Sequence, residues 1–336
     1  MITGFLFHEP IFHGPLAKRF IFYDPYRRGN FAGECKLGKD DKMRRLTAIV
    51  LAALMVFALA ACGQSAPAST APAASAAPAA VESGVEDGVL TIAMECAYAP
   101  YNWTQGDDSN GAVPIKDSEN EYANGYDVMM AKKICEANGW ELEVIKADWD
   151  SLVPGVQSRT YDAVIAGQSM TAERSQQVDF AGPYLYASIV CLTLKDSPYA
   201  SAQGISDLSG GTCTSQSATV WYDTMLPQIP DAQIQPAAES APAMLMALET
   251  GAVDFICTDL PTALGAQVVY PDMVLLDFTG SDDNFVADEG DINIGVSVFK
   301  GNTALLDAIN AVLEPMTADD FNAMMAEATK IQPLGE

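Results

Sequence analysis

One pattern occurs twice in this sequence and constrains its architecture more than any other feature. A helical stretch over residues 243–250 turns at Gly251 and runs into Val253-Asp254-Phe255-Ile256, which repeats the form of Tyr161-Asp162-Ala163-Val164-Ile165. Around the earlier copy, strand-like runs at Val89–Met94, 142–145 and 161–166 alternate with helical patterns over Tyr126–Asn138 and just after Asp150. In the longer helix Met130, Ile134 and Ala137 share one stripe, and Asn138-Gly139 supplies a left-handed stop. Strands separated by helices predict parallel sheet covered by helices. Two copies of the unit predict two lobes of related construction, each offering ligand space where its strands end.

The remainder of the chain is a leader. Met43-Arg44-Arg45 and the apolar run over 46–61 have the basic start and short hydrophobic region of a secretory signal peptide, too short for a stable membrane span. Leu59-Ala60-Ala61-Cys62-Gly63 resembles the bacterial lipoprotein cleavage motif, which implies that Cys62 becomes the diacylated N-terminus. Residues 63–80 are almost wholly Ala, Ser and Pro and read as an extended tether. An aromatic-rich stretch over 1–42 does not belong ahead of a signal peptide, so translation is expected to start at Met43.

Charge and residue usage then exclude whole classes of function. Residues 1–61 carry 9 Lys+Arg against 5 Asp+Glu, and the rest 9 against 39, a net charge of −30. Such a field repels nucleic acid. Both histidines, His8 and His13, precede the body, so Ser-His-Asp and Cys-His catalysis have no imidazole there. The seven cysteines never form C-x-x-C, so neither a zinc knuckle nor a thioredoxin-type pair is signalled, and no cofactor is expected.

The segment Ala166-Gly167-Gln168-Ser169-Met170-Thr171-Ala172-Glu173-Arg174 leaves a buried strand and enters a helix that Thr171 can cap. Gly167 permits close backbone approach, Ser169 adds a hydroxyl, and Arg174 presents a two-pronged donor suited to a carboxylate. Arginine in the first turn opposes the helix macrodipole, which a purely structural role does not favour. Beyond residue 61 the only other arginine is Arg159.

From Val89 onward the chain resembles the polar amino-acid-binding family of ABC importers, whose fold is the second periplasmic-binding-protein type, also found in glutamate-receptor ligand cores. The resemblance rests on Leu90-Thr91-Ile92-Ala93 leading into Tyr98-Ala99-Pro100-Tyr101, on Gly125-Tyr126-Asp127-Val128, and on Gly167-x-Ser169-x-Thr171-x-x-Arg174. Val178-Asp179-Phe180-Ala181-Gly182-Pro183-Tyr184 and Ile294-Gly295-Val296 complete it. It implies that Arg174 grips a ligand α-carboxylate, helped by Ser169, the Gly167 backbone and Thr219 in Gln216-Ser217-Ala218-Thr219. It implies Asp259 on the α-ammonium, although that residue also reads as a helix N-cap. Tyr98 and Trp149 would flank the ligand side chain, and Glu95 stands where relatives that bind lysine or arginine carry an acid. The loop over 104–121 is longer than in the shortest members, and Ser217 replaces the usual glycine.

The expected architecture is therefore α/β, with mixed, mostly parallel sheets, flanking helices and two hinge crossovers. One lobe comprises 86–188 plus 292–336 and the other 192–285, behind a 62–85 tether, a 43–61 signal peptide and a 1–42 extension. The expected function is a monomeric, lipid-anchored protein on the outer face of the bacterial cell membrane. It would close around an amino acid, basic or otherwise polar, and present it to the permease subunits of an ABC importer. An enzyme like cyclohexadienyl dehydratase, with Glu95 as its acid, and a ligand sensor signalling through a partner are the competing readings.

Overall fold

The computed structural model describes residues 85–333. The 1–42 extension, the 43–61 signal segment, Cys62 and all but the last residue of the 62–85 tether lie outside the described residues.

Two five-stranded sheets carry the fold, and they are built alike. In the first, Val89–Met94 lies between Glu141–Lys146 and Ala163–Val164, parallel to both. Asn293–Val298 then runs antiparallel to Ala163–Val164 and to the edge strand Asp179–Tyr186. In the second, Thr212–Thr214 lies between Gln233–Ile234 and Phe255–Asp259, parallel to both, and the antiparallel strands Ile189–Leu194 and Met273–Leu276 follow. Each sheet is thus three parallel strands extended by two more, as the alternating pattern predicts. The chain crosses from Tyr186 to Ile189 and returns after Leu276 to Asn293, which makes the two crossovers.

The repeated x-Asp-apolar unit has the same job in each sheet. Asp162 Oδ2 accepts from the Thr91 amide at 2.9 Å, and Asp254 Oδ2 accepts from the Thr212 amide at 2.7 Å. In both cases the aspartate satisfies an amide of the neighbouring strand just before its own strand begins. The strand expected over 161–166 is shorter than its apolar run, pairing only over Ala163–Val164, because the chain must turn at Gly167.

Helices cover the sheets and meet their expected signals. Tyr126–Asn138 stops at Gly139, whose φ of 71° is the left-handed stop, with its amide bonded to the Cys135 carbonyl. Leu260–Val269 starts at Asp259, whose side chain accepts from the Thr262 amide. The helices Thr303–Leu313 and Ala318–Ile331 pack against the first sheet's edge strand and Tyr126–Asn138. Ala318–Ile331 also touches Leu260–Val269, and just beyond it Gln332 donates to the Gly265 carbonyl at 3.0 Å, a further tie between the lobes. A small antiparallel sheet is made of Ala97–Tyr98, Asn102–Gln105, Tyr122–Asn124 and Val113–Pro114, the last strand being supplied by the long loop over 104–121. All five described cysteines are buried and unpaired. Among the described residues no helix is long and apolar enough to cross a membrane.

Candidate functional site

Four segments that leave parallel strands at their carboxyl ends converge, two from each sheet. Glu95 follows Val89–Met94 and residues 165–169 follow Ala163–Val164. Residues 215–219 follow Thr212–Thr214, and Asp259 ends Phe255–Asp259. This is where open α/β sheets present backbone dipoles and room to a ligand. Every site residue expected from sequence apart from Cys62 lies on these segments or beside them, Trp149 entering from the turn before Leu152–Gln157.

Arg174 opens the short helix Arg174–Gln177, with its amide held by the Thr171 hydroxyl at 3.2 Å. Its guanidinium spans the cleft: Nη1 donates to the Ser169 carbonyl at 2.9 Å and Nη2 to the Ala218 carbonyl on the second lobe at 2.8 Å. The Trp149 ring lies 5.3 Å from the guanidinium carbon, within cation–π range. Burial pushes the Arg174 pKa down to about 10, partly opposed by Glu173 and Asp223, so the group stays cationic at neutral pH. Among the described residues no carboxylate pairs with it. A half-buried cation satisfied only by neutral carbonyls is a favourable site for an anion.

On the second lobe Asp259 is fully buried. Its Oδ1 accepts from the Thr262 amide at 2.9 Å, while Oδ2 accepts from the Tyr101 hydroxyl at 2.8 Å and the Tyr98 hydroxyl at 3.3 Å, both from the first lobe. Burial raises the Asp259 pKa, and the bonds from Thr262, Tyr101 and Tyr98 pull it back. The Thr219 hydroxyl donates to the Gln216 carbonyl at 2.7 Å, so it braces its own loop.

Glu95 is 7% exposed. One of its oxygens accepts from Gln216 Nε2 at 3.3 Å across the cleft, and the other has no partner at all. Burial raises its pKa to about 7, Gln216 lowers it, and Asp150, Asp148 and Asp127 raise it further. Tyr98 stacks on Tyr101 with centroids 4.7 Å apart and meets Trp221 of the second lobe at 6.3 Å. Trp149 lies against Arg174, and Tyr98 lies against Tyr101 and Trp221. Gly167 has a φ of +63°, and an added Cβ would sit 2.9 Å from Tyr98 Cε1. Its amide donates to the Tyr184 hydroxyl at 3.0 Å, so what the glycine offers the cleft is space rather than a donor.

A cavity of about 480 Å³ opens beside Arg174, walled by Trp149, Thr219, Asp150, Asp223 and Asp291. It stops short of Glu95, Tyr98 and Asp259. Those three residues carry bonds between the lobes, and the cavity opens at Arg174. Sequence reading passed over Tyr101, Gln216, Trp221 and Thr262. Tyr101 and Gln216 lay within the quoted motifs, but only the meeting of the lobes shows their hydroxyl and amide aimed at Asp259 and Glu95. No group of His, Cys, Asp and Glu among the described residues is arranged to hold a metal.

The family model of bacterial extracellular solute-binding proteins, family 3, matches residues 90–327. The chain belongs to that family. This family 3 protein is 30% identical over 172 residues to the arginine-binding extracellular protein ArtP of Bacillus subtilis, covering 51% of the chain and 54% of ArtP. It is 27% identical over 230 residues to the ABC transporter arginine-binding protein 1 of Escherichia coli, covering 68% of the chain and 86% of that protein. The match thus spans just over half the length of the first relative and most of the second. Among solved structures, the substrate-binding protein of an amino acid ABC transporter superposes with a TM-score of 0.58 at 25% identity, over 72% of the chain and 100% of its own. AbpA from Streptococcus pneumoniae, bound to L-arginine, shares the fold with a TM-score of 0.62 at 23% identity, over 74% and 98%. The family 3 fold is therefore two-lobed α/β of the second periplasmic-binding type, as expected.

Proposed function

We propose that this protein captures a free amino acid with a cationic side chain between its lobes and delivers it to an ABC importer. The observation that carries the reading is the set of charges that the two lobes bring to the cleft. A half-buried guanidinium without an acid meets Ala218, a buried carboxylate with an unpartnered oxygen meets Gln216 of the same loop, and Asp259 lies near Tyr98. Such an array complements a zwitterion that carries one further positive charge. Relatives named as binding arginine and histidine agree with it.

In this reading Arg174, with Ser169 and Thr219, takes the α-carboxylate, and Asp259 takes the α-ammonium. Glu95 fixes the distal cation, while Tyr98 and Trp149 flank the chain and Gly167 leaves it room. The ligand must displace the Arg174 to Ala218 bond and the tyrosine bonds on Asp259, so it contributes by making stronger, charged contacts in their place. It favours the closed state because its partners lie on both lobes. The lobes comprise 86–188 plus 292–336 and 192–285, and the protein acts as a monomer held at the outer membrane face by a diacylated Cys62. Loss of fatty-acid labelling in Cys62→Ser would show the anchor.

Thermal unfolding against each of the twenty amino acids tests the main reading. A ligand at 100 times its Kd adds about 2.7 kcal/mol of stability. Arginine, lysine or histidine is expected to give the largest shift, and the largest shift from a neutral or acidic amino acid would overturn the cationic assignment. Dehydratase chemistry is the second reading, because Glu95 with a pKa near 7 has the protonation range of a general acid. Turnover of a cyclohexadienyl acid, absent in Glu95→Gln, would establish it.

A further inference from the structure

Two sequence signatures remain outside the ligand contacts described above: Gly125-Tyr126-Asp127-Val128 and the segment ending at Tyr184. They meet in one buried network. Asp127 is fully buried in the first turn of Tyr126–Asn138. Its Oδ1 accepts from the Tyr184 hydroxyl at 2.8 Å, and that hydroxyl accepts in turn from the Gly167 amide at 3.0 Å. Its Oδ2 accepts from Asn102 Nδ2 at 2.7 Å, and Asn102 Oδ1 accepts from the Cys96 amide at 2.8 Å. The helix start is itself pinned to the same loop, since the Asp127 amide donates to the Tyr101 carbonyl at 2.8 Å and the Tyr126 amide to the Pro100 carbonyl at 3.1 Å. The Tyr126 hydroxyl donates to the Tyr184 carbonyl, and the two rings stack with centroids 5.7 Å apart.

We propose that Asp127 is a positioning residue for ligand binding: through Tyr184 and Asn102 it holds the Gly167 turn and the Glu95-Cys96 turn at one fixed spacing. The inference rests on the amino-acid-binding reading. One carboxylate, with one oxygen for each arm, governs both first-lobe ends of the site. The Gly167 arm aims Ser169 and Arg174 at the α-carboxylate, and the Cys96 arm aims Glu95 at the side chain. A carboxylate suits the place because it accepts from both donors at once, and the helix N-terminus favours its negative charge. An asparagine there turns one donor toward a donor, and a phenylalanine at 184 cuts the Gly167 arm while keeping the ring stack.

The two arms make the role separable from general stability. Tyr184→Phe loosens only the carboxylate end, so it should weaken L-arginine by about tenfold or more and agmatine, which lacks that carboxylate, by less than about twofold. Asp127→Asn should weaken both. Titration calorimetry of wild type and both variants is run with L-arginine and agmatine, L-lysine and cadaverine, and L-histidine and histamine, beside thermal unfolding to show that each variant folds cooperatively. Equal losses for amino acid and amine in Tyr184→Phe, or no loss in either variant, overturn the positioning role while leaving amino-acid capture intact. If wild type binds none of the three amino acids, the cationic reading fails first and the relay falls with it.

Discussion

The Tyr101 hydroxyl on one lobe donates to Asp259 Oδ2 on the other at 2.8 Å. This bond occupies the lone pairs that an α-ammonium would take, and it crosses the cleft that a ligand would hold shut. Asp259→Asn keeps the N-cap oxygen for the Thr262 amide, so the fold should survive. Removing the charge should weaken α-amino acids by about a hundredfold, the loss expected when one member of a buried pair is neutralised. Calorimetry with the amino acid and its des-amino analogue checks this: wild type should strongly prefer the amine, and Asp259→Asn should not.

Arg174→Ala should weaken binding by about three orders of magnitude, about 4 kcal/mol, because it leaves a desolvated ligand carboxylate without its partner. Lysine at this position should recover little, since an ammonium cannot reach the Ser169 and Ala218 carbonyls as a fork. A titration in which Arg174→Ala stays within about tenfold of wild type would remove the residue from the site.

Glu95 sets two pH dependences of opposite sense. Its folded pKa is raised from 4.5 to about 7, chiefly by burial. A carboxyl that holds its proton more tightly when folded stabilises the fold fully below pH 4.5, and this contribution is lost as pH rises to about 7. Glu95→Gln should therefore stabilise the ligand-free protein at pH 7.5, by about 3 kcal/mol at most, and change little at pH 4. Binding of a cationic side chain needs the ionised form, so arginine affinity in wild type should fall as pH drops through about 7. The fall should be absent in Glu95→Gln. Competition among arginine, lysine, glutamine, cystine and tyrosine should favour the first two in wild type and lose that preference in the variant.

Gly167→Ala combines two penalties. A positive φ of 63° costs an alanine about 1–2 kcal/mol, and the new Cβ would press on Tyr98 at 2.9 Å and Tyr101 at 3.1 Å. Those rings carry the hydroxyls on Asp259, so the substitution should lower both the unfolding temperature and the affinity, measured by calorimetry on the same samples. Unchanged affinity would show that the rings do not set the pocket.

The sequence by itself determined the architecture, because hydrophobic periodicity, turn glycines and the doubled x-Asp-apolar unit are local signals that survive in one dimension. Asp162 and Asp254 could be paired from spacing alone, and the structure shows why: each serves the neighbouring strand at the same point of its sheet. Arg174 was legible for a similar reason, since an arginine opening a helix after a glycine turn runs against local preference. What only the tertiary structure decided is how the charges are answered across the cleft. That Arg174 reaches Ala218, that Gln216 reaches Glu95, and that Tyr101 rather than a basic residue meets Asp259 depend on residues 44 to 158 positions apart. Hydrogen bonds act over about 3 Å, and no periodicity in a chain records which distant donor will arrive within that reach.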